Sequence, residues 1–526
     1  MSMSFRGRLL AAIFSTGLAG AFAAPACAET LADAIALAYD SNPTLQAQRA
    51  TQRALDENYV QARSGWRPQI SFQAFEQDTE IRSPKGLDRP PGEPIDTNND
   101  GIPDAFGGGD GRTYRSNGSI GLTFTQPLWT GGRVAAAVSA AEADIMSGRE
   151  NLRRIEAQIL STVIQAYSDT RRDQEGLRIR EENVAVLQKQ LEESNARFEV
   201  GEITRTDVAQ SQSRLAAAQA QYQSAVAQLA ISRANYASVV GQNPGDLAPE
   251  PTLAFLLPGN VDDAFSIAEQ NSPSLRAQQF AEQASRARVA GARAERMPTV
   301  SWRTTFGYGG NAHPYDSDLW SRNVQTQATV TVPIFTGGLT QSRVRQSVER
   351  NNVDKINIET QRRAVLQTIT QFWNQLTAAR ANIGSTAEQV RAAKIAAEGT
   401  KQEQQVGLRT TLDVLNAEQE LRNAELAQVS ATRDEYVAAS TVLSAMGRLE
   451  GKNLIPSISQ YDAKANFRKV RMTWGWVPWE EPIGIVDRVV SFPPIPEPKD
   501  KPTEAPIAPG LAPPPVVAPA AAPPRK

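Results

Sequence analysis

Cysteine and histidine are nearly missing from this chain of 526 residues, which has one of each. Cys27 precedes an expected cleavage point, so the mature chain has neither a disulfide nor thiol chemistry to draw on. His313 sits in a Gly/Asn/Pro-rich turn and reads as an exposed loop residue, with metal ligation as the lesser alternative. Excess positive charge is absent too: 55 Lys and Arg face 57 Asp and Glu. That balance argues against a nucleic-acid partner, whose phosphates need a basic face. There is no Ser-His-Asp set, no zinc spacing and no phosphate loop, and Gly107-Gly108-Gly109-Asp110-Gly111 belongs to a hairpin loop, so an enzyme is the least supported class. After the leader no apolar run approaches the ~20 residues of a membrane-spanning helix. Any crossing of a membrane must use strands.

The two ends differ from the rest. Arg6 and Arg8 precede an apolar, small-residue run from Leu9 to Ala24, and Ala26-Cys27-Ala28 offers an A-x-A site, so residues 1–28 read as an export signal. Acylation of Cys27 as a lipoprotein is the weaker reading, because Ala24-Pro25-Ala26 lacks the usual bulky residue. From Pro493 to Lys526, 13 of 34 residues are proline, which cannot build a core and reads as a disordered, partly polyproline-II tail.

Between the ends the chain is written twice. Asp33-Ala34, Asn42-Pro43-Thr44-Leu45 and Arg67-Pro68 return 230 positions later as Asp263-Ala264, Ser272-Pro273-Ser274-Leu275 and Met297-Pro298. Gln126-Pro127-Leu128-Trp129-Thr130-Gly131-Gly132 and Val200-Gly201 return only 206 positions later, as Val332-Pro333-Ile334-Phe335-Thr336-Gly337-Gly338 and Val406-Gly407, so the first copy has 24 extra residues. The division expected is a first repeat over 29–240 (β-hairpin 69–127, helical hairpin 134–240), a linker over 241–260 and a second repeat over 261–450 (β-hairpin 299–333, helical hairpin 340–447). An extension over 451–492 and the tail over 493–526 follow. A long unit duplicated in order suggests halves that do equivalent structural work.

Each repeat changes period along its length. From Val134 to Phe198 there is no proline and Ala, Glu, Gln, Arg and Leu dominate, which predicts a rod of roughly 100 Å. Leu152, Ile155, Ile159, Val163 and Ala166 keep 3/4 spacing. Past Gly201 a sevenfold beat places Val208, Leu215, Tyr222, Leu229 and Tyr236 in a bulky frame and Ser211, Ala218, Ala225 and Ser232 in a small one. The second copy has Val414, Leu421 and Val442 against Ala417, Ala424, Ala431 and Ala438. Period two governs Ile70, Phe72 and Ala74; Ile120, Leu122 and Phe124; Val300, Trp302, Thr304, Phe306 and Tyr308; and Val324 through Val332. Such runs match the ~9 to 11 residues of a tilted transmembrane strand, although half-buried soluble strands share the pattern. Prolines bracket each pair where strand gives way to helix. Four strands cannot close a barrel and open edges are not tolerated in lipid, so several copies must share one wall. The rival is an elongated coiled-coil structural protein of the cell envelope without channel activity, which accounts for the helices alone.

Here the sequence resembles the TolC-type outer-membrane efflux and secretion channels, from about Thr30 to Leu449. The resemblance rests on the duplicated plan, the two strand-to-helix junctions and the tips Arg197-Phe198-Glu199-Val200-Gly201 and Gln405 to Leu415, the second most like the type I secretion branch. It implies an α+β membrane protein: a homotrimer with a twelve-stranded transmembrane β-barrel in outer-membrane lipid, continuous with a long antiparallel α-helical barrel through the periplasm. It implies a periplasmic membrane-fusion adaptor and an inner-membrane ABC exporter or efflux pump as partners, and no required cofactor. Carried over by position, Asp413 becomes the aperture ring, with Arg409 and Asp207 as its links. Asn416 stands where a second acidic ring would sit and Gln404 where a gating tyrosine would, so cation selectivity should be lower. Val200, Gly201, Val406, Gly407 and Leu408 become the adaptor-docking rim.

Two readings come from local chemistry instead. Thr204 to Asp207 and Thr410 to Asp413 are Thr-x-x-Asp capping-box variants, each opening a helix after a glycine that ends one. In the 24-residue insertion, Asp96, Asn98, Asp100, Ile102 and Asp104 match ligand positions 1, 3, 5, 7 and 9 of a calcium loop, with Gly101 at position 6. The closing glutamate is absent, its place taken by Gly107. A weak extracellular-type calcium site and a solvated Asp/Asn/Gly turn are equal alternatives.

Overall fold

The computed structural model describes residues 28–82, 93–96, 99, 101, 105–106, 112–312, 318, 320–455, 458–471 and 475–489. Residues 1–27 of the expected leader, Asn98, Asp100, Ile102, Asp104, His313, Trp474 and the whole proline-rich tail lie outside the described residues.

Each repeat begins with two short helices broken at a proline. Helices α1 (Leu31–Ser41) and α2 (Pro43–Arg63) meet at Asn42. Asn42 has extended backbone, as a residue before proline must, and its side chain accepts from the amides of Thr44 and Leu45. Such a cap contributes about 1 kcal/mol. After a 3₁₀ turn at Ser64–Trp66, the chain enters β1 (Gln69–Arg82). A two-residue pair, β2 (Pro94–Ile95) and β3 (Ala105–Phe106), lies within the insertion, and β4 (Arg112–Trp129) returns. Then come α3 (Arg133–Glu199) and α4 (Arg205–Val240). The second repeat follows with α5 (Val261–Asn271), α6 (Pro273–Ala294), β5 (Thr299–Asn311), β6 (Ser321–Thr331), α7 (Leu339–Gln405) and α8 (Thr411–Ala445).

The main sheet is antiparallel throughout, in the order β1-β4-β5-β6, so β1 and β6 are its edges. Its register gathers apolar residues on one face. Ile70 lies opposite Phe124, Phe72 opposite Leu122, Leu122 opposite Phe306, and Phe306 opposite Val324. Ile70 and Phe72 are 70% and 66% exposed in the protomer. The other face pairs Ser71, Thr123, Thr305 and Gln325 across the same strands. One face suits hydrocarbon and the other water. No described helix is long and apolar enough to cross a membrane.

At the strand-to-helix junction β4 does not stop at Pro127, where the sequence places the end of the hairpin. It runs on to Trp129 with a shift of register between Pro127 and Trp129. Proline has no N–H to give to β5, so the ladder bulges there and then resumes.

The rods carry most of the core. Beside the strands the helices stand in the order α2-α3-α6-α7, and farther away in the order α4-α3-α8-α7. Both levels therefore present four helices side by side. The small frame of α4 points inward, with Ser211, Ala218 and Ser232 buried, and Ser211 Oγ lies 3.2 Å from Ser194 Oγ on α3. Val208, Leu215 and Tyr222 of the bulky frame are only half-buried. Of two 67-residue rods, α3 buries 23 residues and α7 buries 7, so α7 presents an open flank that one protomer does not cover. Around the middle of the rods, α1 and α5 pack a belt whose core includes Ile35, Tyr167, Tyr236, Ile369 and Leu443. Burial and the carboxylates of Glu250 and Glu29 push the Tyr167 hydroxyl up to about 12. It contacts the Ala248 carbonyl at 2.6 Å.

From this belt back to the junction, the described residues between 450 and 489 form a strap of α9 (Gly451–Leu454), α10 (Ala463–Val470) and α11 (Glu480–Val489). Arg153 donates to Glu450 at 2.9 Å, Asn466 to Asp56 at 2.8 Å, and Phe467 packs edge-on against Tyr59. At the top, the fully buried Glu480 joins Arg63 and Arg67 of the first repeat. Asp487, equally buried, accepts from Thr130 N at 2.9 Å, Thr130 Oγ1 at 2.8 Å, Gly132 N at 3.0 Å, Ala135 N at 3.3 Å and Trp66 Nε1 at 3.2 Å. Asp487 thus caps α3, whose preceding residue Gly132 has no side chain to do so.

The two Thr-Gly-Gly junctions differ in their surroundings. Gly131 has φ +67° and a Cβ there would lie 2.4 Å from Met297 Cβ, whereas Gly337 has φ +60° and nothing within 4 Å. Gly131→Ala is expected to cost about 1–2 kcal/mol for the left-handed backbone and about 1–3 kcal/mol more for overpacking. Gly337→Ala should incur only the first. Chemical denaturation followed by helical circular dichroism checks this; equal losses would mean that a neighbouring protomer encloses Gly337 as tightly.

Candidate functional site

The ends of the rods opposite the sheet are two αα turns with the same construction. Gly201, φ +81°, follows Val200 at the end of α3, and the amide of Glu202 donates to the Arg197 carbonyl at 2.9 Å. Gly407, φ +79°, follows Val406 at the end of α7, and Leu408 N donates to the Glu403 carbonyl at 2.9 Å. These bonds close the last turn of each rod in the left-handed glycine motif. The side chains around the glycines then have nowhere to pack. Val200, Val406 and Leu408 are 72%, 71% and 76% exposed, an apolar rim at a surface otherwise made of polar helix.

Both Thr-x-x-Asp segments form complete capping boxes. Thr204 Oγ1 accepts from Asp207 N at 3.4 Å while Asp207 Oδ2 accepts from Thr204 N at 3.0 Å. Thr410 and Asp413 repeat this at 3.2 and 3.0 Å. The Thr410 amide, its hydroxyl and Arg409 hold the Asp413 carboxyl below the usual carboxylate range. Only Oδ2 serves the cap, so Asp413 keeps its charge and a second oxygen for another partner.

The other gate candidates are placed in ways the sequence did not indicate. Arg409 Nε donates to Glu403 Oε2 at 2.9 Å on its own hairpin, and the Glu403 carboxylate raises the guanidinium's pKa. Among the described residues Arg409 and Asp207 share no hydrogen bond or ion pair within the protomer. Asn416 instead accepts from Arg214 Nη2 at 2.8 Å, joining α8 to α4. Gln404 is buried beneath the turn and reaches Thr411 Oγ1 at 3.4 Å. Farther along the rods, Arg433 of α8 donates to Asp169 of α3 at 2.8 Å. No local pattern marks Arg214 and Arg433, because their partners lie more than 200 positions away in the chain. Only the duplication itself, which brings the two hairpins side by side, could have hinted at them.

In the insertion, Asp96 Oδ1 accepts from Asn99 N at 2.6 Å and Oδ2 from Gly101 N at 2.7 Å. Asn99 and Gly101 take positive φ, +66° and +85°, and their amides turn toward the Asp96 carboxylate. Among the described residues no group of three or more His, Cys, Asp or Glu is placed to hold a metal.

The sequence pattern of the family described as outer membrane efflux protein matches residues 34–242 and 264–448. The chain is 32% identical over 454 residues to outer membrane efflux protein BepC of Brucella suis biovar 1 (strain 1330), covering 85% of this chain and 92% of that one. It is 26% identical over 297 residues to alkaline protease secretion protein AprF of Pseudomonas aeruginosa, covering 55% of this chain and 61% of that one. The crystal structure of the Campylobacter jejuni CmeC outer membrane channel superposes with a TM-score of 0.67 at 16% identity, over 84% of this chain and 89% of that one. The family pattern over most of the chain and the 32% identity over 454 residues show that this chain belongs to the outer membrane efflux protein family, as an outer-membrane channel of the trimeric, tripartite kind with a periplasmic helical extension, and not an enzyme.

Proposed function

We propose that the chain is the exit duct through which an inner-membrane ABC exporter or efflux pump passes proteins or small molecules across the periplasm and outer membrane, with a periplasmic membrane-fusion adaptor seated on Val200, Gly201, Val406, Gly407 and Leu408. The observation that carries this reading is the apolar rim, exposed at the end of each rod and backed by glycines that admit close backbone approach.

The gate in this reading is a ring of Asp413 carboxylates repeated about the trimer axis. Arg409 and Asp207 link across protomers, and Asn416 braces the ring by accepting from Arg214 within one protomer. A carboxylate held below its usual range stays charged at every physiological pH. Asp413→Ala is therefore expected to weaken block by multivalent cations in planar-bilayer conductance. Block in the unaltered channel should fade only as pH drops through the depressed Asp413 range, since protonation is what removes the charge. Unchanged block in the variant would sink the assignment.

Asp96 supports a second reading, that the insertion binds calcium through Asp96, Asn98, Asp100, the Ile102 carbonyl and Asp104. Its carboxylate is already steered by two backbone amides. Without the bidentate closing glutamate, affinity should fall in the ~10⁻⁴ to 10⁻³ M range of extracellular modules. Isothermal titration should show saturable heat at millimolar calcium that Asp96→Ala abolishes; no heat at those concentrations rules the site out.

A further inference from the structure

Helix α11 is built inside out. Residues 480, 483, 484 and 487 follow 3/4 spacing and turn toward the molecule, yet this inner face carries the two acids, Glu480 and Asp487, both with no exposure. The opposite face carries Pro482, Ile485 and Val486, with Ile485 59% and Val486 52% exposed. In water such a helix would be expected to show its acids and hide its aliphatics. Just ahead of it, Trp476 and Trp479 are 41% and 47% exposed. Four large apolar side chains, two just ahead of α11 and two on it, are thus exposed on this short stretch of chain.

Their position says what covers them. Trp479 Nε1 donates to Gln126 Oε1 at 3.1 Å. On β4, Gln126 shares the face of Phe124 and Leu122, the apolar face of the sheet, and lies opposite Trp302 on β5. Phe124 and Trp302 touch edge to face at 6.0 Å. Trp479 is therefore level with Trp302 and one pleat below Ile70 and Phe124, on the lipid side of the wall and at its helical end. In an outer-membrane channel that level is the periplasmic boundary of the bilayer, where tryptophan is at home.

We propose that Trp476, Trp479, Ile485 and Val486 form an interfacial anchor, seated in the headgroup and upper acyl region of the inner, phospholipid leaflet. The buried acids suit this role. Glu480 and Asp487 are consumed by Arg63, Arg67, Thr130, Gly132 and Ala135, so no carboxylate of the inner face is turned toward the bilayer. The outer face approaches lipid with Pro482, Ile485 and Val486 at its centre, while its edges carry Glu481, paired with Arg63, and Arg488, held over the Trp66 ring. The strap then ties bilayer depth to the strand-to-helix junction, since the helix that rests on the lipid also caps α3.

The test uses the full chain in a Cys27→Ser background, with Ile485→Cys or Val486→Cys labelled by an environment-sensitive fluorophore and Lys464→Cys, exposed on α10, as the reference. Trimers that keep the unaltered helical circular dichroism are placed in phosphatidylethanolamine/phosphatidylglycerol vesicles. Lipid-borne nitroxide should quench the labels at 485 and 486 at least twofold more than the label at 464, and aqueous iodide should do the reverse. Iodide quenching at 485 and 486 equal to that at 464 would overturn the proposal in favour of an open aqueous face. Protection from both quenchers would overturn it in favour of cover by a second copy of the chain.

Discussion

Glu480→Ala is expected to destabilise the protomer by about 3–5 kcal/mol, because it leaves the buried Arg67 guanidinium without its counter-charge and Arg63 with Glu481 alone. Arg63 and Arg67 are 3% and 7% exposed, and both aim Nε at this one carboxylate. Arg63 keeps Glu481 at 2.8 Å as a second partner, whereas the Arg67–Glu480 bond of 3.0 Å is the ion pair that ties α11 to the turn before β1. Loss should first appear as release of the strap and fraying at the start of α3. Equilibrium denaturation followed by circular dichroism measures the size, and hydrogen exchange at Val134 to Val138 measures the place. A loss below about 1 kcal/mol, the range of exposed pairs, would show that the strap is only laid on the surface. Acid should mimic the variant in part. Arg63 holds the Glu481 carboxyl below its usual range, so that contact contributes at neutral pH and is lost as pH falls through the depressed value.

The second large effect is expected at the far end. Val406→Asp with Leu408→Asp should abolish export while leaving single-channel conductance in place. Each apolar side chain buried under an adaptor contributes about 1.5–3 kcal/mol, so removing two and desolvating two charges costs well over tenfold in affinity. Both positions are exposed and make no packing contact that the fold needs, so the variant should insert and assemble normally. Co-purification of the periplasmic adaptor from native membranes, alongside conductance of the same preparation, checks both halves. Full adaptor recovery with the double variant would remove the rim from the docking surface.

The resemblance and the structure agree where the signal is local or periodic. The strand pairs, the long rods, the glycine turns and both Thr-x-x-Asp caps were legible because each depends on residues within a few positions of one another. Pro127 misled the boundary of β4 because a proline reads as an end, while a bulge lets the strand continue through it. By position Asn416 stands for a second acid, and the fold uses it as the acceptor for Arg214, a side chain 202 positions earlier.

The amino-acid sequence by itself determined the duplicated plan, the alternation of periods two and seven, and the need for several copies to close the sheet, since pattern and solvent are enough to dictate those. Tertiary structure alone decided where α10 and α11 are held. Glu480 and Asp487 look like ordinary solvated acids on a short helix, and Trp479 like one of several stray aromatics. Their partners Arg63, Arg67, Thr130, Gly132 and Gln126 lie hundreds of positions upstream, and no local pattern marks such a pairing. Burial reverses the meaning of that helix: once its acids are spent inside, its aliphatic face is left for whatever surrounds the barrel.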